Sequence, residues 1–190
     1  MQNNVICEVG DMYLSYHRKQ FYTEKNEKQF VNFVKKSIRG SLEYKEWKKL
    51  LIQEMQLTKC LFTGEDVSEV SIEFHHHPIS LENIVYAVVD KYIRNEIEFN
   101  TCIIMDEVLK KHYEMKIGIV PMVKTLHEKF HNGYLNIPIS FVIGDYKKFI
   151  EEYPLRDKAM EIVNKYENIT KTNHIGWNKY SINEGIEVNK

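Results

Sequence analysis

Apolar residues recur at helical spacing along several stretches of the chain. Phe30, Phe33, Val34 and Ile38 share one helical face, and Tyr44, Trp47 and Leu51 form the next stripe. Between them lies a break at Gly40-Ser41, where Ser41 is the expected N-cap of the second helix. The period then drops to two. Cys60-Leu61-Phe62 leads into a turn, Thr63-Gly64-Glu65-Asp66, after which Val70, Ile72 and Phe74 alternate with Ser71 and Glu73 as in a half-buried strand. That strand runs into His75-His76-His77 and should stop at Pro78, which has no amide for a sheet ladder. A helix capped by Ser80 carries Leu81, Ile84, Val85, Val88 and Tyr92 on one face. Another, capped by Thr101, carries Met105, Val108, Leu109 and His112. After Gly118, Ile119-Val120-Pro121 reads as a short strand, and Met122 to His131 as a brief helix stopped by Asn132-Gly133. The last third predicts a small strand near Ile137–Ile143, a helix capped by Asp145 and another starting at Pro154. From Asn168 the chain is polar, although Trp177 argues that part of it docks.

The pattern describes an α+β chain, mostly helical. Its 190 residues suffice for one or two domains with a real hydrophobic core. With 43% hydrophobic and 28% charged residues and only 8 Gly and 4 Pro, wholesale disorder and fibrous architectures are excluded. No apolar run approaches the roughly 20 residues of a membrane span. The opening MQNNVICEVGDMY lacks the basic and apolar regions of a signal peptide, so a cytoplasmic location, in a bacterium or a phage-infected host, is expected. Three cysteines, Cys7, Cys60 and Cys102, are odd in number and far apart, so neither a disulfide framework nor a structural zinc is expected.

Charge narrows the picture further. The 26 basic and 27 acidic residues leave a net charge of −1, so binding to nucleic acid would require the basic residues to gather on one face. Arg39 and Lys48, with Lys35, Lys36, Lys45 and Lys49, could form such a face. Because Glu43 and Glu46 interleave them, an ordinary solvated helix surface is the competing reading. Lys124, one turn before His127, is a further candidate for contact with a nucleic-acid backbone.

Chemistry concentrates in the histidines. Five of the eight fall in two groups, His75-His76-His77 and His127/His131. Residues four apart on a helix lie on one face, about 6 Å apart along the axis, so both imidazoles of the second group can reach one metal ion. The first group adds a third ligand at a strand end and a neighbouring imidazole able to act on water. Three protein nitrogens with open positions suit a catalytic ion better than a closed structural one. Strict alternation would also allow His75 and His77 as joint ligands. His112, on an apolar helical face, reads as a buried, hydrogen-bonded structural histidine, and His17 and His174 stand outside any group.

The stretches Glu73-Phe74-His75-His76-His77-Pro78-Ile79-Ser80 and Leu126-His127-Glu128-Lys129-Phe130-His131-Asn132-Gly133 together resemble the HNH endonucleases of the His-Me finger (ββα-metal) superfamily, in their phage-type form. Upstream, Ile38 to Trp47 and Lys59-Cys60-Leu61-Phe62-Thr63-Gly64 look like the helix and degenerate zinc-knuckle hairpin that often precede that core. The resemblance implies metal ligation by His75, His127 and His131, with His76 as general base on a DNA phosphodiester. The expected cofactor is one divalent cation, Mg²⁺ or Mn²⁺; three imidazoles would also hold Zn²⁺ or Ni²⁺. His77 and Asn132 are possible supporting residues. The family's eponymous asparagine has no counterpart near Gly118, and Asn83 or Asn132 are candidate substitutes. The implied organisation is an N-terminal helical region over 1–58, a ββα-metal core over 59–135 with a helical insertion at 79–116, and a C-terminal helical extension over 136–190. The alternatives are a DNA- or protein-binding accessory module with the same core and little or no cleavage, and a metal hydrolase acting on a smaller substrate.

Overall fold

The structure is a computed structural model that describes residues 23–132 and 136–173, with side chains through residue 168. His17, Gly133, His174 and Trp177 lie outside the described residues. Helices dominate, and one small antiparallel sheet accompanies them, which makes the architecture α+β. No described helix is long and apolar enough to cross a membrane.

Helix α1 (Glu24–Gly40) begins where the Thr23 side chain accepts the Asn26 amide, and it buries Phe30, Val31, Val34 and Ile38. Ser41 ends α1 and caps α2 (Leu42–Gln53), accepting the Tyr44 amide on its hydroxyl. Strand β1 spans Ile72–His76, and the chain then turns through a cis His77–Pro78 peptide bond. Ser80 caps α3 (Leu81–Arg94), as its position in the sequence suggests. The next cap is Asn100 rather than Thr101: its carboxamide accepts the Ile103 amide, and Thr101 becomes the first residue of α4 (Thr101–Tyr113). Both residue types cap well, and Asn takes the role one position earlier.

Strand β2 (Ile119–Val123) pairs antiparallel with β1, placing His75 opposite Val120 and His76 opposite Ile119. It extends two residues beyond the expected helix start at Met122, and α5 (Lys124–His131) follows without a break. Pro121 is tolerated inside β2 because its carbonyl faces away from β1, toward the Leu61 amide at 3.1 Å; the missing N–H lies on that same outer side. Residues 137–143 do not form the expected strand. They make a single 3₁₀ turn (Ile139–Phe141) and one bridge from Ile143 to Ile119, since Pro138 interrupts the alternation. Asp145 caps α6 (Tyr146–Glu152), and α7 (Asp157–Asn173) carries the helix past Asn168 into the polar stretch.

Two apolar clusters organise these elements. The larger joins α1, α2, α3, α4, α6 and α7 around Trp47, Ile84, Ile104, Phe149 and Val163, so the helices between the two strands are part of the main core. The smaller packs Cys60, Val120, Met122, Leu126 and Ile137 beneath the hairpin and α5. Strand β1 lies between them. Phe74 points toward α2, with its ring 6.4 Å from Trp47, whereas His75 points toward α5, 4.4 Å from Phe130.

Candidate metal centre

The alternation of β1 sends Glu73 and His75 to the α5 side and Phe74 and His76 to the helical bundle. On α5, His127 and His131 sit one turn apart and face back toward the strand. One ligand atom from each of His75, His127 and His131 lies within 4.8 Å of the other two. The Nε2 atoms of His127 and His131 are 2.9 Å apart. Two imidazole nitrogens on one ion with bonds of about 2.0–2.1 Å are separated by about 2.9 to 3.3 Å for 90° to tetrahedral angles, so the pair matches a shared ion.

Glu73, which the sequence reading had passed over, adds to this fit. Its carboxylate accepts a hydrogen bond from His127 Nδ1–H. That bond places the proton of a neutral His127 on Nδ1 and leaves the Nε2 lone pair aimed at His131, the arrangement that metal-bound histidines use. The signal was present in the sequence, since Glu73 stands two residues before His75 on the same strand face. Protonation states agree. Burial, reinforced by His127, His131 and His77, pushes the His75 pKa down to about 3. Burial and the neighbouring His127 also lower that of His131. A metal ligand must be unprotonated, and both shifts favour that form. The donor set of three nitrogens fits a divalent cation.

His75, His76, His127 and His131 all line one cavity of about 540 Å³, which opens between the strand and the start of α2. Arg39, Tyr44 and Lys48 form its other wall. The two cations arrive there because Arg39 ends α1 and Lys48 lies one turn beyond Tyr44 on α2. Among the described residues neither Arg39 nor Lys48 forms an ion pair; Lys48 instead lies over the Tyr44 ring, 5.5 Å from its centre. Two cations on the wall facing the histidine cluster make an anion-attracting site. Lys124 is placed elsewhere: it is exposed, 4.0 Å from Glu128, and does not line the cavity.

His76 leaves the strand on the opposite face from His75, yet lines the same cavity. Its Nε2 lies 2.9 Å from His112 Nε2, and its ring stacks near Tyr44. Burial first, then His112, holds its pKa well below the ordinary histidine value. His112 is indeed buried and hydrogen-bonded, with Nδ1 2.7 Å from the Val108 carbonyl. His77 does not join the cluster. It is buried beside Phe130 and Tyr166, and burial lowers its pKa to about 4. Asn132 is exposed at the end of α5. The place expected for an asparagine near Gly118 has no room for a side chain. A Cβ there would fall on the His77 carbonyl oxygen and 2.8 Å from Val142 Cγ1, while the Gly118 carbonyl accepts the His77 amide. Asn83 lies in the first turn of α3, its amide held by Ser80. Cys60 is buried, with its sulfur accepting the Thr63 amide at 3.4 Å.

A family model described as bacteriophage G278-like virion protein matches residues 2–186. The chain belongs to that family. Its association with phage is therefore plain. No curated protein and no solved structure matches the G278-like chain.

Proposed function

We propose that this G278-like protein is a metal-dependent endonuclease of the HNH type acting on DNA. The observation that carries the reading is the convergence of His75, from a strand, with His127 and His131, from the helix after the hairpin, on a cavity that His76, Arg39 and Lys48 also line. In this reading His75, His127 and His131 hold one divalent cation. When bound, the cation supplies Lewis-acid stabilisation of the phosphate and of the departing 3′ oxygen. His76, neutral because it is buried, takes the proton from the attacking water, which yields a 5′ phosphate. Arg39 and Lys48 bind the phosphates flanking the scissile bond.

The test is metal analysis of the purified protein followed by plasmid nicking with Mg²⁺ or Mn²⁺. His76→Ala should lower the nicking rate at least about 100-fold while metal binding persists, as expected for loss of a general base. Nicking that survives His76→Ala unchanged refutes the mechanism. Membership of a virion protein family favours a second reading, a metal-holding module of the phage particle that binds DNA or protein without cleaving. Metal and DNA binding by the wild type, with no nicking, would establish it instead.

A further inference from the structure

The bundle side of β1 carries a feature that metal ligation does not explain. His112 comes from α4, inside the segment between the strands, and brings its Nε2 to 2.9 Å from the Nε2 of His76. Its orientation is fixed on several sides. The Trp47 indole N–H donates to the His112 carbonyl at 3.0 Å, the Trp47 ring stands edge-on to the imidazole at 4.8 Å, and Tyr44 stands edge-on at 5.6 Å. The other nitrogen, Nδ1, lies 2.7 Å from the Val108 carbonyl oxygen.

Proton placement follows from these contacts. A carbonyl oxygen only accepts, so His112 Nδ1 carries the hydrogen. His112 is fully buried, which lowers its pKa to about 4 and leaves the ring neutral with a bare Nε2. The metal-ligand group among the described residues does not include this pair, and without an ion between them two bare nitrogens at 2.9 Å would repel, so the hydrogen between the rings belongs to His76 Nε2. A neutral imidazole has one N–H, and the lone pair of His76 is then on Nδ1.

Building on the nuclease reading, we infer that His112 is a positioning residue: it fixes the tautomer and rotation of His76, so that Nδ1 is the atom that accepts a proton from water. The chain Val108 carbonyl, His112, His76 orients the base through a second imidazole, the task a carboxylate performs in other hydrolases. It also gives the segment between the strands a part in the chemistry.

Two measurements test this on the full-length protein. Long-range ¹H–¹⁵N spectra of protein labelled in the histidine rings, at neutral pH, should show hydrogen on Nε2 of His76 and on Nδ1 of His112. The His112 form is the diagnostic one, because free imidazole side chains favour the other tautomer. In plasmid nicking, His112→Phe keeps the ring bulk but offers no acceptor and should lower the rate about 10-fold or more at unchanged metal content. His112→Gln, whose amide oxygen can accept from His76, should recover most of that loss. Hydrogen found on His76 Nδ1 overturns the inference, as does a His112→Phe variant nicking at the wild-type rate while His76→Ala is inactive. Should His112→Phe fail to fold, the wild-type spectra alone decide. A wild type that binds metal and never nicks overturns the nuclease reading, and with it the catalytic part of both rings.

Discussion

Glu73 offers the sharpest test of the candidate metal centre, because its hydrogen bond runs to a proposed ligand and it is not itself one of the three. Its carboxylate accepts from His127 Nδ1–H. Removing it frees the His127 ring to rotate and to place its proton on Nε2, where a cation would need the lone pair. Outer carboxylate partners of metal-bound histidines are typically worth 10- to 100-fold in affinity. Here the Glu73 and His127 side chains are 36% and 27% exposed, so water screens the pair and the lower end applies. Glu73→Ala should weaken Zn²⁺ or Mn²⁺ binding about 10-fold, or about 1.4 kcal/mol, measured by calorimetry or chelator competition. Glu73→Gln keeps an acceptor oxygen but loses the charge, so its affinity should fall between the two. Glu128→Ala is the control: it removes an equal charge from the helix that carries His127 and His131, and that carboxylate pairs only with Lys124 in the described contacts. If Glu73→Ala binds as tightly as the wild type, or no worse than Glu128→Ala, the three histidines do not hold an ion as argued.

Three further outcomes are expected. Gly118→Ala should destabilise the fold by about 3 kcal/mol or more in urea unfolding, because its methyl group must displace the His77 carbonyl from a packed strand end; a loss below about 1 kcal/mol would refute that. His112 has its pKa lowered to about 4 by burial, against about 6.5 unfolded, so the unfolded chain binds the proton first. Its contribution to stability is complete above about pH 6.5 and is lost as pH falls toward about 4, worth up to about 3 kcal/mol, and His112→Gln should unfold with a shallower acid dependence over that window. Replacing Arg39 and Lys48 together by Ala should weaken DNA binding and reduce the slope of log K against log salt by about 2, whereas Lys124→Ala should leave that slope nearly unchanged; the reverse ranking would place the phosphates on α5.

The helices were legible wherever apolar spacing and a cap agreed, as at Ser41, Ser80 and Asp145. Legibility failed at residues 137–143, where an apolar run alternated convincingly but Pro138 turned it into a 3₁₀ segment. Within the site, spacing pairs His127 with His131 and calls for a third ligand from the run 75–77, while the choice of His75 rests on the family resemblance; the structure brings these three together. Arg39 and Lys48 could be named but not placed, since the angle between α1 and α2 decides whether they meet the strand. The bond from His112 to His76 spans 36 positions and depends on how α4 packs against α2, which no local pattern encodes. Glu73 was the avoidable miss: the two-residue period that put His75 toward α5 puts Glu73 there as well.

Three consecutive imidazoles at the end of β1 raise the matter of slippage. Shifted by one position against β2, the strand would still present a histidine to each side, with the roles of neighbours exchanged. The residues that forbid this are not the histidines. A shift in either direction would turn Phe74 outward to the α5 side, stranding its ring, and in one of the two it would also put Glu73 in the place of Phe74 against Trp47, burying a charge. Shifted one way, Pro78, which has no amide, would also stand where His77 now donates to Gly118. Which imidazole faces α5 and which faces the helical bundle is thus decided by an aromatic ring, a carboxylate and a proline, none of which the proposed mechanism uses in bond cleavage.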